Sequence, residues 1–315
     1  MKIGVIMDPI ESINVTKDST LMMILEMQSR GMDVHFINPK NLSIKSLHSH
    51  AISQELKVDL DATVKFNLSE EKEVSLESFQ AILMRQDPPF NMDYIYNTYV
   101  LDLAEKEGVL VVNSPSSLRN CNEKVFATNF PQCTTPFLVS SSLVLLKEFI
   151  AKYKDVIVKP LDGMGGVSIY RLISGDTNIS VILEDITRNS SVKVMAQTYI
   201  PEISEGDKRI LLVDGKPMDA SIARIPAEGE LRGNLAAGGR ALGKPLSEND
   251  LYICEEVGPT LKKLGLVFVG IDIIGNYLTE INVTSPTCIQ EYKRLCNIDV
   301  AADLIDTIEK KVNER

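Results

Sequence analysis

The clearest structural signal in the sequence is the segment Val156-Ile157-Val158-Lys159-Pro160-Leu161-Asp162-Gly163-Met164-Gly165-Gly166. It joins an apolar strand, with a lysine at its end, to a glycine-rich turn, and Val167–Leu172 has a second strand pattern. Glycines let backbone N–H groups approach phosphate oxygens closely, and a lysine adds a fixed positive charge. No Gly-Lys-Ser/Thr follows, as a Walker P-loop requires, and no helix opens directly after the glycines, as a dinucleotide fingerprint requires. The pattern indicates a hairpin folded over phosphates or, equally well, a plain hairpin turn with a surface lysine.

Polar side chains interrupt an apolar hairpin nearer the C-terminus: Asp272 in one strand, and Glu280 and Asn282 in the next. Residues two apart on a strand face the same side, so Glu280 and Asn282 project together. If Ile274 pairs with Leu278 across a three-residue loop, Asp272 lies directly opposite Glu280. Facing carboxylates repel each other unless a cation lies between them, and oxygen ligands beside phosphate suit Mg²⁺. The alternative is a row of polar residues on the wet face of a hairpin.

The hairpin runs directly into the turn Val283-Thr284-Ser285-Pro286-Thr287, whose hydroxyls and amides can receive a small carboxylate. Several basic residues also lie beside glycine-rich or turn-like segments of the second half. They are Lys124, Lys159, Lys208, Arg209, Arg224, Arg232 and Arg240. Cations beside loops suggest a small anionic substrate, although surface lysines and arginines are common.

The composition restricts the class of protein. The formal net charge of −10 disfavours nucleic acid as the main ligand. Five scattered cysteines lack the CxxC spacing of a zinc site and indicate reduced thiols in a cytoplasmic protein. Asp8-Pro9 cuts the first apolar run short, which argues against a signal peptide, and no stretch has the length of a membrane span.

The first third of the chain alternates strand and helix. Strands are predicted at Lys2–Met7, Asp33–Ile37, Ala81–Met84 and Val109–Asn113, with helices from about Asp18 to Arg30 and from Tyr94 to Lys106. This alternation predicts a doubly wound parallel sheet with helices on both faces. The polar stretch from about Asn41 to Glu77 lacks a helical period, and we expect a hairpin plus a surface loop outside the core.

After Cys121 the pattern changes to mixed strands and helices, and from Lys208 it is mostly strands with a helix near Glu248–Leu264 and another at Val300–Val312. We therefore predict an α/β and α+β architecture with an N-terminal α/β domain at 1–121. A two-part unit follows, with subdomains at 122–200 and 201–315.

Residues 226–240, Pro-Ala-Glu-Gly-Glu-Leu-Arg-Gly-Asn-Leu-Ala-Ala-Gly-Gly-Arg, hold several glycines and few large apolar side chains. Such a stretch has little to bury and many accessible backbone states, so it predicts a mobile loop that works as a lid. Arg232 and Arg240 would carry positive charge to the site when the loop closes.

Seven motifs occur in the order in which bacterial glutathione synthetases have them, and they span essentially the whole chain. They are Met7-Asp8-Pro9, Met84-Arg-Gln-Asp-Pro-Pro-Phe90, Asn120-Cys-Asn-Glu-Lys124, Asp162-Gly-Met-Gly-Gly166, Gly206-Asp-Lys-Arg209, Arg232-Gly-Asn-Leu-Ala-Ala-Gly-Gly-Arg240 and Glu280-Ile-Asn-Val-Thr-Ser-Pro-Thr287. The chain thus resembles bacterial glutathione synthetases, within the ATP-grasp superfamily. That resemblance implies a pre-ATP-grasp domain followed by a two-part ATP-grasp unit.

The resemblance also implies roles for individual residues. Those that would bind ATP are Lys124, Lys159, Gly163, Gly165, Gly166, Gln197, Thr198, Tyr199, Asp207 and Lys208. Asp272, Glu280 and Asn282 would hold Mg²⁺, for which Mn²⁺ can substitute. Arg209, Arg224 and Arg232 would face the peptide substrate and the reacting carboxylate, and Ser285 and Thr287 would lie near glycine. The family often has Asn in place of Thr198, so adenine contact there is expected from the backbone.

By the same resemblance, ATP converts the carboxylate of γ-glutamylcysteine to an acyl phosphate, and glycine displaces phosphate to give glutathione. A homotetramer is implied, with neither nucleic acid nor a membrane as partner. The rivals are another ATP-grasp amino-acid or peptide ligase, or an ATP-binding regulator that kept the fold without catalysis. A Rossmann oxidoreductase does not fit, because Gly4-Val5-Ile6-Met7-Asp8 has no glycine fingerprint.

Overall fold

The apolar N-terminal run forms the centre of a parallel sheet. The structure of the chain is a computed structural model, which describes residues 1–62, 65–163, 165–230, 232–233 and 238–315. The N-terminal elements are β1 (Lys2–Ile6), α1 (Ser19–Ser29), β2 (Asp33–Lys45), β3 (His48–Val58), β4 (Phe66–Leu68), β5 (Lys72–Ser75), β6 (Ala81–Met84), α2 (Met92–Lys106), β7 (Leu110–Val112) and α3 (Pro115–Asn120). Strands β2, β1, β6 and β7 pair in parallel.

Helices cover both faces of this sheet because alternate strand residues point to opposite sides. Ile3 and Val5 lie in one hydrophobic cluster with Leu21 of α1, whereas Ile6 lies in a second cluster with Leu101 of α2. Helix α1 begins where expected, since the Asp18 carboxylate accepts a hydrogen bond from the Leu21 amide. The predicted doubly wound architecture is confirmed.

The interpretation of Asn41–Glu77 as lying outside the core is only half right. A hairpin is present, with β2 antiparallel to β3, and β4 and β5 each pair with β3. However, the hairpin continues the main sheet, so one of its faces is covered. Ala51, Leu56 and Val58 are therefore buried in the hydrophobic core.

The middle segment forms a unit with its own core. Its elements are β8 (Phe137–Ser140), α4 (Leu143–Tyr153), β9 (Asp155–Pro160), β10 (Tyr170–Ile173), α5 (Ile179–Ile186) and β11 (Val194–Thr198). The strands form an antiparallel sheet in the order β10-β9-β11-β8. Buried residues such as Leu146, Val158 and Leu183 form a hydrophobic cluster separate from the two that fill the rest of the molecule. The glycine turn joins β9 to β10 as a hairpin, as predicted.

The last segment builds a second antiparallel sheet. Its elements are β12 (Asp207–Val213), β13 (Lys216–Pro217), β14 (Ala220–Ile225), β15 (Arg240–Pro245), α6 (Glu248–Lys263), β16 (Phe268–Ile274), β17 (Tyr277–Asn282), α7 (Ile289–Cys296) and α8 (Val300–Asn313). The strand order is β15-β14-β12-β16-β17, with β13 on β12. This sheet shares its hydrophobic clusters with the N-terminal sheet, and Leu304 of α8 packs in the cluster that holds Ile3.

Three elements of this segment have no counterpart in the sequence prediction, namely β13, β15 and α7. Arg240, placed at the end of the predicted loop 226–240, begins β15 and pairs with Ile225. Within that loop, residue 231 and residues 234–237 lie outside the described residues, so its mobility stays a prediction. None of the helices in the described part of the chain combines the length and the apolar character that a membrane span needs.

Candidate active site

A cleft of about 350 Å³ lies between the middle sheet and the C-terminal sheet. It collects nearly every residue that the sequence singled out. The predicted residues that line it are Lys124, Lys159, Gly163, Gly165, Gly166, Gln197, Thr198, Tyr199, Asp207, Arg209, Arg224, Arg232, Asp272, Glu280, Asn282, Ser285 and Thr287. The alternative interpretations, a plain turn with a surface lysine and a solvated hairpin face, therefore do not describe this chain.

The two lysines converge on one carboxylate. Lys124 and Lys159 are both buried, and their Nζ atoms lie 3.6 and 3.4 Å from Glu280 Oε1. The Lys124 ammonium also donates to the Gly163 carbonyl over 2.8 Å, which fixes the glycine turn above the cleft. Burial lowers the pKa of Lys159, while Glu280 opposes that shift. Burial alone would raise the pKa of Glu280, but Lys124 and Lys159 hold it below its ordinary value, so the carboxylate is ionised.

Asp272 lies opposite Glu280, as predicted, although the hairpin strands pair differently from the prediction. The turn of the β16–β17 hairpin is tighter than expected, since Ile274 pairs with Tyr277. A register shift next to Asp272 then restores the pairing of Asp272 with Glu280. A β-bulge inserts one residue into one strand and so changes which side chains face each other. Thr279 supplies the extra residue.

Two arginines of neighbouring strands hold Asp272. Arg209 binds both carboxylate oxygens, at 2.5 and 2.7 Å, and Arg224 Nη2 lies 3.0 Å from Oδ2. Burial raises the pKa of Asp272, but the two guanidinium groups more than reverse that shift and keep the group ionised. Arg224 also pairs with Asp207, whose pKa rises to about 7 because the carboxyl is buried. Asp207 Oδ1 is buried and has no hydrogen-bond partner among the described residues.

The predicted metal ligands fit a hard cation in chemistry. Glu280 is ionised, and Asn282 commits its Nδ2 to the Gly270 carbonyl and to Asp272, so its Oδ1 remains for a cation. Asp272 is less available because Arg209, Arg224 and Asn282 already occupy its oxygens. Mg²⁺ commonly takes one or two carboxylates together with substrate phosphates, and Glu280 with Asn282 meets that pattern.

Lys208 does not lie in this cleft. Along a strand, successive side chains point to opposite faces, and Asp207 and Arg209 face the cleft. Lys208 therefore points to the other face of β12, where its ammonium pairs with the buried carboxylate of Asp250 at the start of α6. The assignment of Lys208 to ATP overlooked this alternation.

Backbone groups at the end of β11 are partly committed. The Thr198 amide donates to the Pro136 carbonyl over 3.1 Å, and the Tyr199 amide donates to the Asp155 carbonyl over 3.0 Å. Neither N–H can donate to a base unless it first gives up this hydrogen bond. The backbone groups expected to recognise adenine therefore do not include these two N–H groups. Arg171 stacks on the Tyr199 ring at 3.6 Å from its centroid and anchors this edge of the cleft.

The described part of the loop 226–240 reaches the glycine turn. Arg232 Nη1 donates to the Gly166 carbonyl over 3.4 Å, and its Nη2 lies 2.6 Å from Glu230 Oε2. Gly233 packs so closely on β14 that a Cβ atom there would lie 2.4 Å from the Arg224 carbonyl oxygen. Only glycine fits at this contact.

Sequence reasoning assigned no role to two further acidic residues of the cleft, Asp87 and Glu123. The Ser285 hydroxyl donates to Asp87 over 2.8 Å, and the Thr284 hydroxyl donates to Glu123 over 2.9 Å. Both acids lie within motifs that carried the family resemblance. Their partners are far away in sequence, so only the folded chain shows the pairing.

A lysine-lined glycine hairpin that faces a carboxylate hairpin across a cleft is the arrangement of an ATP-grasp ligase. Solved structures agree on the fold. D-cycloserine synthetase DcsG superposes with a TM-score of 0.70 at 13% identity, covering 99% of this chain and 100% of that one. D-alanyl-alanine synthetase A of Vibrio cholerae gives a TM-score of 0.64 at 14% identity, covering 99% and 98%. These likenesses show that the chain has the fold of both synthetases.

Sequence comparison specifies the family. The family model described as "Prokaryotic glutathione synthetase, N-terminal domain" matches residues 1–119, and the one described as "Prokaryotic glutathione synthetase, ATP-grasp domain" matches residues 123–297. The glutathione synthetase of Pseudomonas putida is 53% identical over 315 residues, which is 100% of this chain and 99% of that protein. That of Vibrio cholerae is 50% identical over 312 residues, covering 99% and 98%. The chain belongs to the prokaryotic glutathione synthetase family. It is an ATP-dependent carboxylate–amine ligase.

The positions of Lys159, which lines the cleft, and Lys208, which does not, lead to a prediction about ATP affinity. Lys159→Met removes a cation that faces the cleft, so ATP binding should weaken by about 1–3 kcal/mol through loss of a charge-assisted contact. Lys208→Met is the matched control, because Lys208 lies on the opposite face of β12; its ATP affinity should stay within about twofold of the unmodified chain. Calorimetric titration of both variants, after circular dichroism has shown that each is folded, measures the difference. Equal losses in the two variants would contradict the assignment of Lys159.

Proposed function

We propose that this chain joins the cysteinyl carboxylate of γ-glutamylcysteine to the amine of glycine, with ATP converted to ADP and phosphate. Family membership over the whole chain supports this substrate pair. The observation in the structure that carries the chemistry is the convergence of Lys124 and Lys159 on Glu280, beside the arginines that hold Asp272. One cleft thus offers cations for both a phosphate chain and a carboxylate.

The reaction needs an activated carboxylate, because an ionised carboxylate does not accept an amine at neutral pH. Transfer of the γ-phosphoryl group to a carboxylate oxygen gives an acyl phosphate. The amine nitrogen then attacks the carbonyl carbon, a tetrahedral adduct forms, and the C–O bond to phosphate breaks. Such a sequence depends mainly on alignment and on neutralising negative charge. The described cleft supplies cations for both tasks.

In this proposal the lysines bind ATP phosphates, and the glycine turn, with Gly163 fixed by Lys124, covers them. Gln197, Thr198 and Tyr199 would border the adenine, and Asp207, whose buried Oδ1 has no hydrogen-bond partner among the described residues, would lie near the ribose. Glu280, Asn282 and Asp272 would hold Mg²⁺ or Mn²⁺, which would supply positive charge against the phosphates. Arg209 and Arg224, kept in place by Asp272, would orient the reacting carboxylate, and Arg232 would close over it from the loop.

The domain division at 1–121, 122–200 and 201–315 is part of the same proposal, as are a cytoplasmic location and a homotetrameric assembly. The separate hydrophobic core of the middle segment supports treating it as a subdomain that covers the nucleotide. The assembly rests on the family resemblance, and the location rests on the five scattered cysteines.

Purified chain with ATP, Mg²⁺ and γ-glutamylcysteine tests the substrate pair when glycine is first omitted and then restored. ADP release should be slow without glycine. With glycine it should rise to one ADP per glutathione, measured by a coupled assay and by mass spectrometry of the peptide. If D-alanine or another amino acid replaces glycine at an equal rate, the chain is a different ligase of the same superfamily.

The metal ligands lead to a second prediction. Glu280→Gln replaces an ionised ligand by a neutral amide, which binds a hard cation poorly. Turnover should fall by about two orders of magnitude or more, at least 2.7 kcal/mol in activation free energy. Circular dichroism should show an unchanged fold. Near-normal turnover of this variant in limiting Mg²⁺ would remove Glu280 from the metal site.

A further inference from the structure

The carboxylates that line the cleft fall into two groups. One group is ion-paired with lysine or arginine, and it consists of Asp207, Asp272 and Glu280. Asp87 and Glu123 form the other group, and neither has an ion pair within the part of the chain that the structure describes. The two differ in their surroundings: burial raises the pKa of Glu123 while Lys124 and Arg209 oppose that shift, so cations lie near Glu123 even without an ion pair.

The surroundings of Asp87 add negative charge. Its backbone N–H donates to Asp8 Oδ2 over 2.9 Å, and Asp18 is close enough that Asp87 contributes, after burial, to the raised pKa of Asp18. Arg85 is a cation that acts on both Asp18 and Asp87. Its buried guanidinium donates to Thr20 Oγ1 and to the Pro286 carbonyl, each over 3.0 Å, and forms no ion pair with either carboxylate among the described residues.

The Ser285 hydroxyl determines which kind of group this region can bind. A hydroxyl has one proton, and Ser285 gives it to Asp87 Oδ1. Its Oγ therefore presents only lone pairs, and among the described residues no hydrogen bond reaches Asp87 Oδ2. Two acceptors beside excess negative charge suit a cationic donor and repel a carboxylate.

We propose that Asp87, oriented by Ser285, binds the ammonium group of an amino-acid substrate in this cleft. The inference rests on the proposed function, in which two substrates carry such a group. They are γ-glutamylcysteine, through its α-ammonium, and glycine, through the amine before it reacts. Asp87 thereby acts in substrate recognition, while the lysines act on the phosphates.

Asp87→Asn tests the subsite, because it removes the charge and keeps an oxygen for Ser285. The Michaelis constant of the substrate held there should rise about tenfold through loss of a charge-assisted contact, with little change in that for ATP. Glutarylcysteine, the analogue of γ-glutamylcysteine without its α-ammonium, identifies the source. If Asp87 holds the peptide, the unmodified chain binds glutarylcysteine about tenfold less well, and the variant does not distinguish the two peptides. If Asp87 holds glycine, the Michaelis constant for glycine rises in Asp87→Asn whichever of the two peptides is used.

Glu123→Gln is the matched control, since it neutralises the other carboxylate that lacks an ion pair. It should leave the preference for γ-glutamylcysteine over glutarylcysteine intact. The proposal is overturned if Asp87→Asn leaves the Michaelis constants of both amino-acid substrates within about twofold of the unmodified chain. An equal rise in the Michaelis constant for ATP would also overturn it. So would a loss of preference for γ-glutamylcysteine in Glu123→Gln and not in Asp87→Asn. These results presuppose an unmodified chain that makes glutathione. An inactive unmodified chain would reject the proposed function itself.

Discussion

The bidentate pairing of Arg209 with Asp272 is the interaction on which the rest of the site depends. Both groups are buried, and a buried charge without a partner is strongly destabilising. Each also lies on a central strand. The pairing of β12 with β16 places Arg209 opposite Asp272, that of β16 with β17 places Asp272 opposite Glu280, and that of β12 with β14 places Asp207 opposite Arg224. A shift of one strand by a single residue would turn these side chains away from the cleft. The register of the sheet therefore also fixes which charged side chains face each other in the cleft.

The middle segment meets the C-terminal sheet at the cleft through charged side chains. The segment has its own hydrophobic core, so polar contacts carry much of the junction at the cleft. Lys159 of β9 reaches Glu280 of β17, Lys124 bonds to the carbonyl of Gly163, and Arg232 bonds to that of Gly166. Each of these contacts uses a cation that is proposed to bind substrate or nucleotide. Ligand binding would therefore redistribute the charges that now hold the two sheets together.

Much of this arrangement could be predicted from the sequence because it depends on local rules. Strand periodicity placed Glu280 and Asn282 on one face, and the glycines after Lys159 indicated a hairpin. The failures also have physical causes. Lys208 was assigned to ATP without regard to strand alternation, although it lies between two residues that face the cleft. The pairs Asp87–Ser285 and Glu123–Thr284 join distant segments, and no local pattern in the chain indicates that they meet.

The central claim is that the cleft activates a carboxylate by phosphoryl transfer. Turnover of γ-glutamylcysteine with ¹⁸O in its cysteinyl carboxylate tests this claim directly, with mass spectrometry of the phosphate released. An acyl phosphate requires that one labelled oxygen pass to inorganic phosphate for each peptide bond formed. If the phosphate carries no label while ligation proceeds, the carboxylate was not phosphorylated, and the assignment of lysines and arginines to that step is wrong.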